Sequence, residues 1–324
     1  MDVSLIQAAL AHPLDRSDFP GLGKKYEGKV RDNYTTPDGR RVLVVTDRIS
    51  AFDHVLGTLP LKGQVLNHAA AFWFARTAHI VPNHVISVPD PNVLLAKECT
   101  PLPVEMVVRA YLTGTTSTSI WVHYERGARK FCGHDLAEGL RKHERLPTPI
   151  LTPSTKAPHG AHDISASRDE ILKLSGMPAA DFDAAADMAM ALFREGQRLC
   201  AERGLILVDT KYEFGKTADG QIVVIDKIHT PDSSRFWYSA SYQARFEAGQ
   251  DPESFDKEYV RRFLVDQGYR GEGPIPVIPD GVRVEATRRY IEAVDAITGT
   301  PFVPNLEEPA ARMRKNLAKA GLLA

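Results

Sequence analysis

The chain has little cysteine, no excess of either charge and no long apolar run. Its three cysteines, Cys99, Cys132 and Cys200, are far apart in 324 residues and form no C-x-x-C pair. That excludes a disulfide framework and a cysteine zinc site, and predicts inert buried thiols in a reducing compartment. Forty basic residues against forty-one acidic ones give a net charge of −1. Such a balance provides no field for gripping a nucleic-acid backbone, although a local basic pocket for one small phosphorylated ligand remains compatible. The most apolar stretch, 69–75, is too short to span a bilayer, and MDVSLIQAALAHPLDRSD has no basic n-region of a signal peptide. The expectation is a cytoplasmic protein with neither a nucleic-acid nor a membrane partner. No H-E-x-x-H, G-x-S-x-G or G-x-G-x-x-G run occurs. A zinc hydrolase, a serine hydrolase and a Rossmann dehydrogenase are therefore disfavoured.

What is present is ordinary globular material, 43% hydrophobic and 25% charged. A short helix over 2–11 is expected first. KKYEGKVRDNY and RRVLVVTDR then flank the turn Thr36-Pro37-Asp38-Gly39, a hairpin signal. Residues 63–78 predict a helix, VPNHVISVPDPNVL short edge strands or loops, and 104–111 a buried strand. The Pro-, Thr-, Ser- and His-rich stretch 140–168 predicts a long ordered loop. Helical spacing over 181–203 stops at Gly204, and a second hairpin over 205–228 follows. Further helices are expected near 255–266, 281–297 and 307–321. Hairpins first and helices last indicate an α+β fold.

The chemistry concentrates on the second hairpin. Alternation in LVDTKYEF puts Asp209, Lys211 and Glu213 on one face, and the paired run IVVIDKI adds Asp226. Charges in strands this apolar need partners. Two readings are open: Glu213 and Asp226 as oxygen ligands of Mg²⁺ with Lys211 on a substrate anion, or a cross-strand salt bridge. His229-Thr230-Pro231-Asp232-Ser233-Ser234-Arg235 then offers hydroxyls and a guanidinium, either as a phosphate site or as a capped turn. In the first hairpin, Gly28, Lys29 and Arg31 make a second phosphate candidate or a solvated strand edge. Arg109, in an apolar strand, calls for an anion, whether ligand or structural partner. Residues alone point to metal-dependent phosphoryl transfer or phosphate-ligand binding.

EGKVRDNY, VVTDRISAFD, PLPVEMVVRAYLTG, LILVDTKYEFG and IDKIHTPDSSRFW, in this order, resemble the SAICAR synthetases (phosphoribosylaminoimidazole-succinocarboxamide synthases) of purine biosynthesis. The resemblance covers about residues 24–240. It implies a kinase-like N-terminal antiparallel β-lobe packed on an ATP-grasp-like lobe, with C-terminal helices. The corresponding units are 1–105, 106–245 and 246–324. It implies ATP-dependent ligation of L-aspartate to the carboxylate of CAIR, through an acyl phosphate, giving SAICAR, ADP and phosphate. It says nothing of oligomeric state.

By resemblance, Gly28, Lys29 and Arg31 cover the ATP phosphates, and Glu213 and Asp226 hold Mg²⁺. Lys211 and Asp209 face CAIR and the transferred phosphate. Arg109, Ser234 and Arg235 bind the CAIR carboxylate and ribose phosphate, with Thr115 where serine is usual. Asp47, Ser50 and Asp53 lie at the cleft, and Lys156 and Asp163 on a loop near ATP. In catalytic terms the implied set is Lys211, Asp209 and Arg235. One position departs: Lys227 follows Asp226 where the family carries an acid. Strand alternation predicts that Lys227 faces away from Asp226. A catalytically impaired or non-catalytic nucleotide or sugar-phosphate binding homologue is the alternative this substitution raises.

Overall fold

A computed structural model describes residues 2–52, 54–116, 118–156, 163–255 and 259–323. Helix α1 (Val3–Ala9) leads into the first sheet. Strands β1 (Lys24–Glu27) and β2 (Arg31–Thr35) form a hairpin closed by Gly28-Lys29-Val30. The expected extended run is thus folded back on itself at Gly28, whose N–H donates to the Arg31 carbonyl at 2.8 Å. Strand β3 (Arg40–Val45) follows the Thr36–Gly39 turn. Strands β4 (Arg48–Ala51) and β5 (His54–Thr58) pair separately, ahead of α2 (Lys62–Thr77). Strands β6 (Val85–Asp90) and β7 (Val93–Lys97) complete a five-stranded sheet of order β1-β2-β3-β7-β6. Pro89 is tolerated because β6 is an edge.

Strand β8 (Thr100–Tyr111) opens the second sheet and is longer than its apolar core predicted. Next come α3 (Ile120–Glu125) and the short pair β9 (Lys130–Phe131) and β10 (His134–Asp135). The expected loop over 140–168 contains β11 (Arg145–Leu151) and β12 (Ser154–Thr155), both pairing with β8. Helix α4 (Arg168–Ser175) starts from a reciprocal Ser167–Glu170 capping box. Helix α5 (Ala179–Ala201) ends just before Gly204, which adopts φ +68°.

Strands β13 (Leu205–Lys216), β14 (Ile222–Ile225) and β15 (Ser234–Tyr238) complete a sheet whose main order is β11-β8-β13-β14, with β15 also on β13. Four helices close the chain: α6 (Ser239–Glu247), α7 (Tyr259–Asp266), α8 (Asp280–Thr298) and α9 (Pro309–Lys319). The fold is α+β with antiparallel pairing within the sheets.

Period-two alternation decides which core each side chain joins. Val42 and Val44 turn outward to Tyr34, Met313 and Leu317, beneath the C-terminal helix. Leu43, between them, turns inward to the main core around Trp73, Phe193 and Tyr212. The buried face of α5 repeats at helical spacing through Phe182, Ala185, Ala189, Leu192 and Phe193. A third core packs α2 on α8 through Val65 and Ile291. Arg312 and Asp90, both essentially inaccessible, pin α9 to the first sheet with an Nε–Oδ2 distance of 3.1 Å. The two sheets meet where Asn83 bridges Val224, which leaves a cleft beside the end of β14. Among the described residues, no helix is long and apolar enough to cross a membrane.

Candidate active site in the interlobe cleft

Strand β13 carries the centre of the site. Its register sets Asp209 opposite Arg109 and Glu213 opposite Glu105. Asp209 Oδ2 accepts from Arg235 Nη1 at 2.6 Å and from Arg109 Nη1 at 3.4 Å. Arg109 Nε also donates to the Thr152 hydroxyl at 2.9 Å. One carboxylate therefore orients two guanidinium groups, leaving a net cationic patch suited to a phosphate or carboxylate. Ser234 is buried beside it, its hydroxyl 2.7 Å from that of Thr210. Thr115 is exposed, and the structure brings no described hydrogen bond to its hydroxyl.

Two residues along, Lys211 pairs with Glu105 and lies 3.5 Å from Glu213 Oε1. Lys156 pairs with the other Glu213 oxygen. Burial pushes the Glu213 carboxyl upward, but the ammonium groups of Lys211 and Lys156 outweigh it and hold it down to about 2. Glu213 is thus a carboxylate at any physiological pH. Burial raises Glu105, its neighbour across the ladder, above the ordinary range.

Asp226 lies one residue beyond β14 with φ +67°, a left-handed backbone unusual for a non-glycine residue. His229 has φ +46° in the same turn. The chain has left the strand there, so alternation no longer governs side-chain direction. This overturns the expectation for Lys227: its Nζ lies 3.3 Å from Asp226 Oδ2 rather than facing away. Burial first, and then the nearby Arg31 guanidinium, push the Lys227 ammonium down to about 8. Arg31 crosses from the first sheet to pair with Asp226 and donates to its carbonyl at 3.4 Å.

Arg31, Lys62, Asp226, Lys227 and Asp232 line a narrow cavity walled by Leu43, Leu66 and Leu94. Lys29 is exposed at the tip of the β1–β2 turn and does not share a strand face with Arg31, because the turn interrupts the alternation. Ser50 is half-buried and lines a second, adjoining cavity.

Asp47 behaves differently from its expected place at the cleft. It is buried, its Oδ2 accepting from the Leu14 N–H and its Oδ1 from the Gly63 N–H, both at 2.8 Å. Its carboxylate is occupied with backbone, and it lines neither cavity. Burial pushes its carboxyl up to about 6 against those two hydrogen bonds. Asp163 is exposed; residues 157–162, between it and Lys156, lie outside the described residues, as does Asp53.

Arg48 was not singled out in the sequence. Buried beneath the β1–β2 turn, it donates to the Lys29 carbonyl at 3.0 Å and the Gly28 carbonyl at 2.9 Å. It also pairs with the inaccessible Asp32 at 2.7 Å. The turn is thereby shaped from below by a fixed cation. Glu105, Lys62 and Asp232 were missed as well. The only signal for Glu105 was an acid inside the apolar run PLPVEMVV.

The donor set fits a divalent cation. Among the described residues no group of three or more His, Cys, Asp or Glu could hold one alone. Glu213, within β13, and Asp226, just past the end of β14, instead supply two carboxylates from neighbouring strands, beside cations that attract phosphate. That pattern suits an ion taking one or two carboxylates and completing its shell with phosphate oxygens and water.

Fold and cleft together define an α+β protein with two main sheets, arranged to handle anionic, phosphorylated ligands. The SAICAR synthetase family model matches residues 24–275, and the chain belongs to that family. It is 49% identical over 284 residues to the phosphoribosylaminoimidazole-succinocarboxamide synthase of Legionella pneumophila, covering 87% of this chain and 90% of that one. The chloroplastic synthase of Arabidopsis thaliana is 46% identical over 304 residues, 93% of this chain and 73% of the relative. Among solved structures, SAICAR-synthase from Saccharomyces cerevisiae complexed with SAICAR superposes with a TM-score of 0.76 at 29% identity. That match covers 90% of this chain and all of the other. The expected α+β fold is the one these relatives share.

Proposed function

We propose that the protein ligates the amine of L-aspartate to the carboxylate of CAIR, consuming ATP and giving SAICAR, ADP and phosphate. What carries the reading is membership of the family over most of the chain, together with a cleft in which Asp209, Lys211, Glu213 and Asp226 face Arg31, Arg109 and Arg235. The nucleotide lies between the units 1–105 and 106–245, with 246–324 bracing them, in a soluble cytoplasmic enzyme.

A carboxylate is a poor acyl donor, so its oxygen first takes the γ-phosphoryl group of ATP. The bond from the γ-phosphorus to the bridging oxygen breaks, and ADP leaves with that electron pair. The aspartate amine then attacks the acyl carbon and loses a proton. Phosphate departs with the electrons of the C–O bond, and the amide remains. Such transfers depend on positioning and charge neutralisation rather than on a protein nucleophile.

In this reading Gly28, Lys29 and Arg31 hold the ATP phosphates, and Lys156 joins them from the facing loop. Arg109 and Arg235, oriented by Asp209, grip CAIR with help from Ser234 and Thr115. Lys211 neutralises the transferred phosphoryl group. Glu213 and Asp226 would hold Mg²⁺, which when bound supplies positive charge to the phosphate oxygens. Ser50 and Asp53 contribute from the β4–β5 side.

The test is ADP release with ATP, Mg²⁺, CAIR and L-aspartate, omitting each in turn. Release that requires all four supports the ligase. No release alongside ATP- or CAIR-induced thermal stabilisation overturns it in favour of a binding protein.

A further inference from the structure

The two carboxylates proposed to hold the metal come from β13 and from just past β14, and neither strand alone fixes their separation. Glu213 stands opposite Ile225, so Asp226 lies one residue beyond the last position of that ladder. The chain then turns through two left-handed non-glycine residues, Asp226 at φ +67° and His229 at φ +46°. Such conformations are strained and persist only where the surroundings over-determine them. The contacts that hold this turn therefore decide where the Asp226 carboxylate sits.

Those contacts come from the hidden face of β13. Lys211 and Glu213 share the face that carries the ion pairs, while Tyr212 between them points the other way, into the main core. The Tyr212 hydroxyl and His229 Nε2 are hydrogen-bonded, and both residues are fully buried. The imidazole lies edge-on to Trp73 of α2, with ring centroids 4.5 Å apart, in space that Gly196 of α5 leaves open. Its Nδ1 has no hydrogen-bond partner among the described residues, so Tyr212 is its one polar attachment. Burial pushes the imidazole down to about 3, so the ring is neutral and brings no charge of its own to the site. A backbone tether holds the far end of the same turn: the Lys211 N–H donates to the Ser233 carbonyl at 3.1 Å.

We propose that Tyr212 and His229 are positioning residues that set the place of the Asp226 carboxylate relative to Glu213. Adjacent residues of β13 thus act on the two faces of one strand. Glu213 offers a ligand to the cleft, and Tyr212 anchors the turn bearing the other ligand from behind. Neither Tyr212 nor His229 lines the cleft cavities, so neither acts on nucleotide or substrate directly. A small divalent ion demands near-ideal ligand placement, so a displaced turn weakens binding even with both carboxylates present. The inference rests on the metal reading above and adds what holds the two ligands in register.

The test uses the full chain with ADP present and reads metal binding directly, from the electron paramagnetic resonance signal of free Mn²⁺. Tyr212→Phe removes only the hydroxyl. Gly196→Ala crowds the imidazole from α5 without altering a polar group. Each should raise the Mn²⁺ dissociation constant about tenfold, the low end for loss of an outer partner of a metal ligand. Calorimetric binding of CAIR should stay within about twofold. Unchanged Mn²⁺ binding in both variants overturns the proposal. Equal losses of Mn²⁺ and CAIR binding also overturn it, because they mark a general loosening of the fold. Glu213→Gln separates this result from the metal reading. If that variant binds Mn²⁺ as the parent does, the carboxylates are not the ligands and both readings fall. If it loses Mn²⁺ while Tyr212→Phe and Gly196→Ala do not, only the positioning role falls.

Discussion

Arg31 and Asp226, 195 positions apart, join the two sheets across the cleft, the guanidinium meeting both the carboxylate and the carbonyl of the aspartate. The group proposed to meet phosphate thus pairs with the carboxylate proposed to hold the metal.

Arg31→Met should leave Asp226 with Lys227 as its near cation and remove a phosphate ligand. KM for ATP is expected to rise about tenfold or more, as for loss of a charge-assisted hydrogen bond, with smaller change in KM for CAIR. Initial-rate kinetics with each substrate varied checks this. Equal KM values in variant and parent would mean that Arg31 stays on Asp226 throughout turnover.

Arg48 is the structural counterpart of Arg31. Its guanidinium satisfies two turn carbonyls and the inaccessible Asp32. Its removal leaves Asp32 with Lys25, 3.2 Å away, as its remaining cation and strands the two turn carbonyls, so Arg48→Met should cost about 1–3 kcal/mol of stability. Urea denaturation measures the loss. The freed turn should also weaken ATP binding, and saturating ATP should recover part of the lost stability.

The difference between these two arginines marks what the sequence could reveal. Arg31, Asp209, Lys211 and Glu213 stand on strands whose alternation is readable, and their neighbours in sequence form recognisable motifs. Arg48 lies in one of those motifs, but its role depends on a turn twenty residues earlier folding over it. Lys62, Asp232 and Tyr290 meet only once α2, the loop after β14 and α8 have packed together.

Lys227 was misjudged because Asp226 takes a left-handed backbone, which no pattern of hydrophobicity encodes. The 140–168 stretch was misread for a related reason. Its prolines argue against a central strand, whereas β11 is an edge strand where Pro147 and Pro149 cost little.

The turn that carries Asp226 is buttressed by a glycine in a distant helix. Gly196 on α5 leaves room for the buried His229 ring; an added Cβ would lie 2.7 Å from Leu207 Cδ2 and nearer still to the imidazole. The ring also pairs with the Tyr212 hydroxyl and packs edge-on against Trp73 at 4.5 Å. Gly196→Ala is therefore expected to destabilise by about 1–3 kcal/mol through overpacking, despite alanine's better helix propensity. The midpoint of urea unfolding checks the sign. A more stable variant would show that the imidazole can move aside freely.

Asp47 gives a pH dependence whose sign differs from that of most carboxylates. Its folded value, about 6, lies above the unfolded value of about 4, so the folded state holds its proton more tightly. Between those values the unfolded chain binds fewer protons, and the contribution of Asp47 to stability falls as pH rises from 4 through 6. The full change is about 3 kcal/mol for two units, reached near pH 7. Asp47→Asn removes the titration, although its amide cannot accept from both the Leu14 and Gly63 N–H groups. The parent should be the more stable protein at pH 4, and its advantage over Asp47→Asn should shrink steadily towards pH 7. Urea unfolding of both proteins at several pH values measures that difference directly. A constant gap would place the carboxyl at its unfolded value and make the two backbone donors, rather than burial, the stronger influence on it.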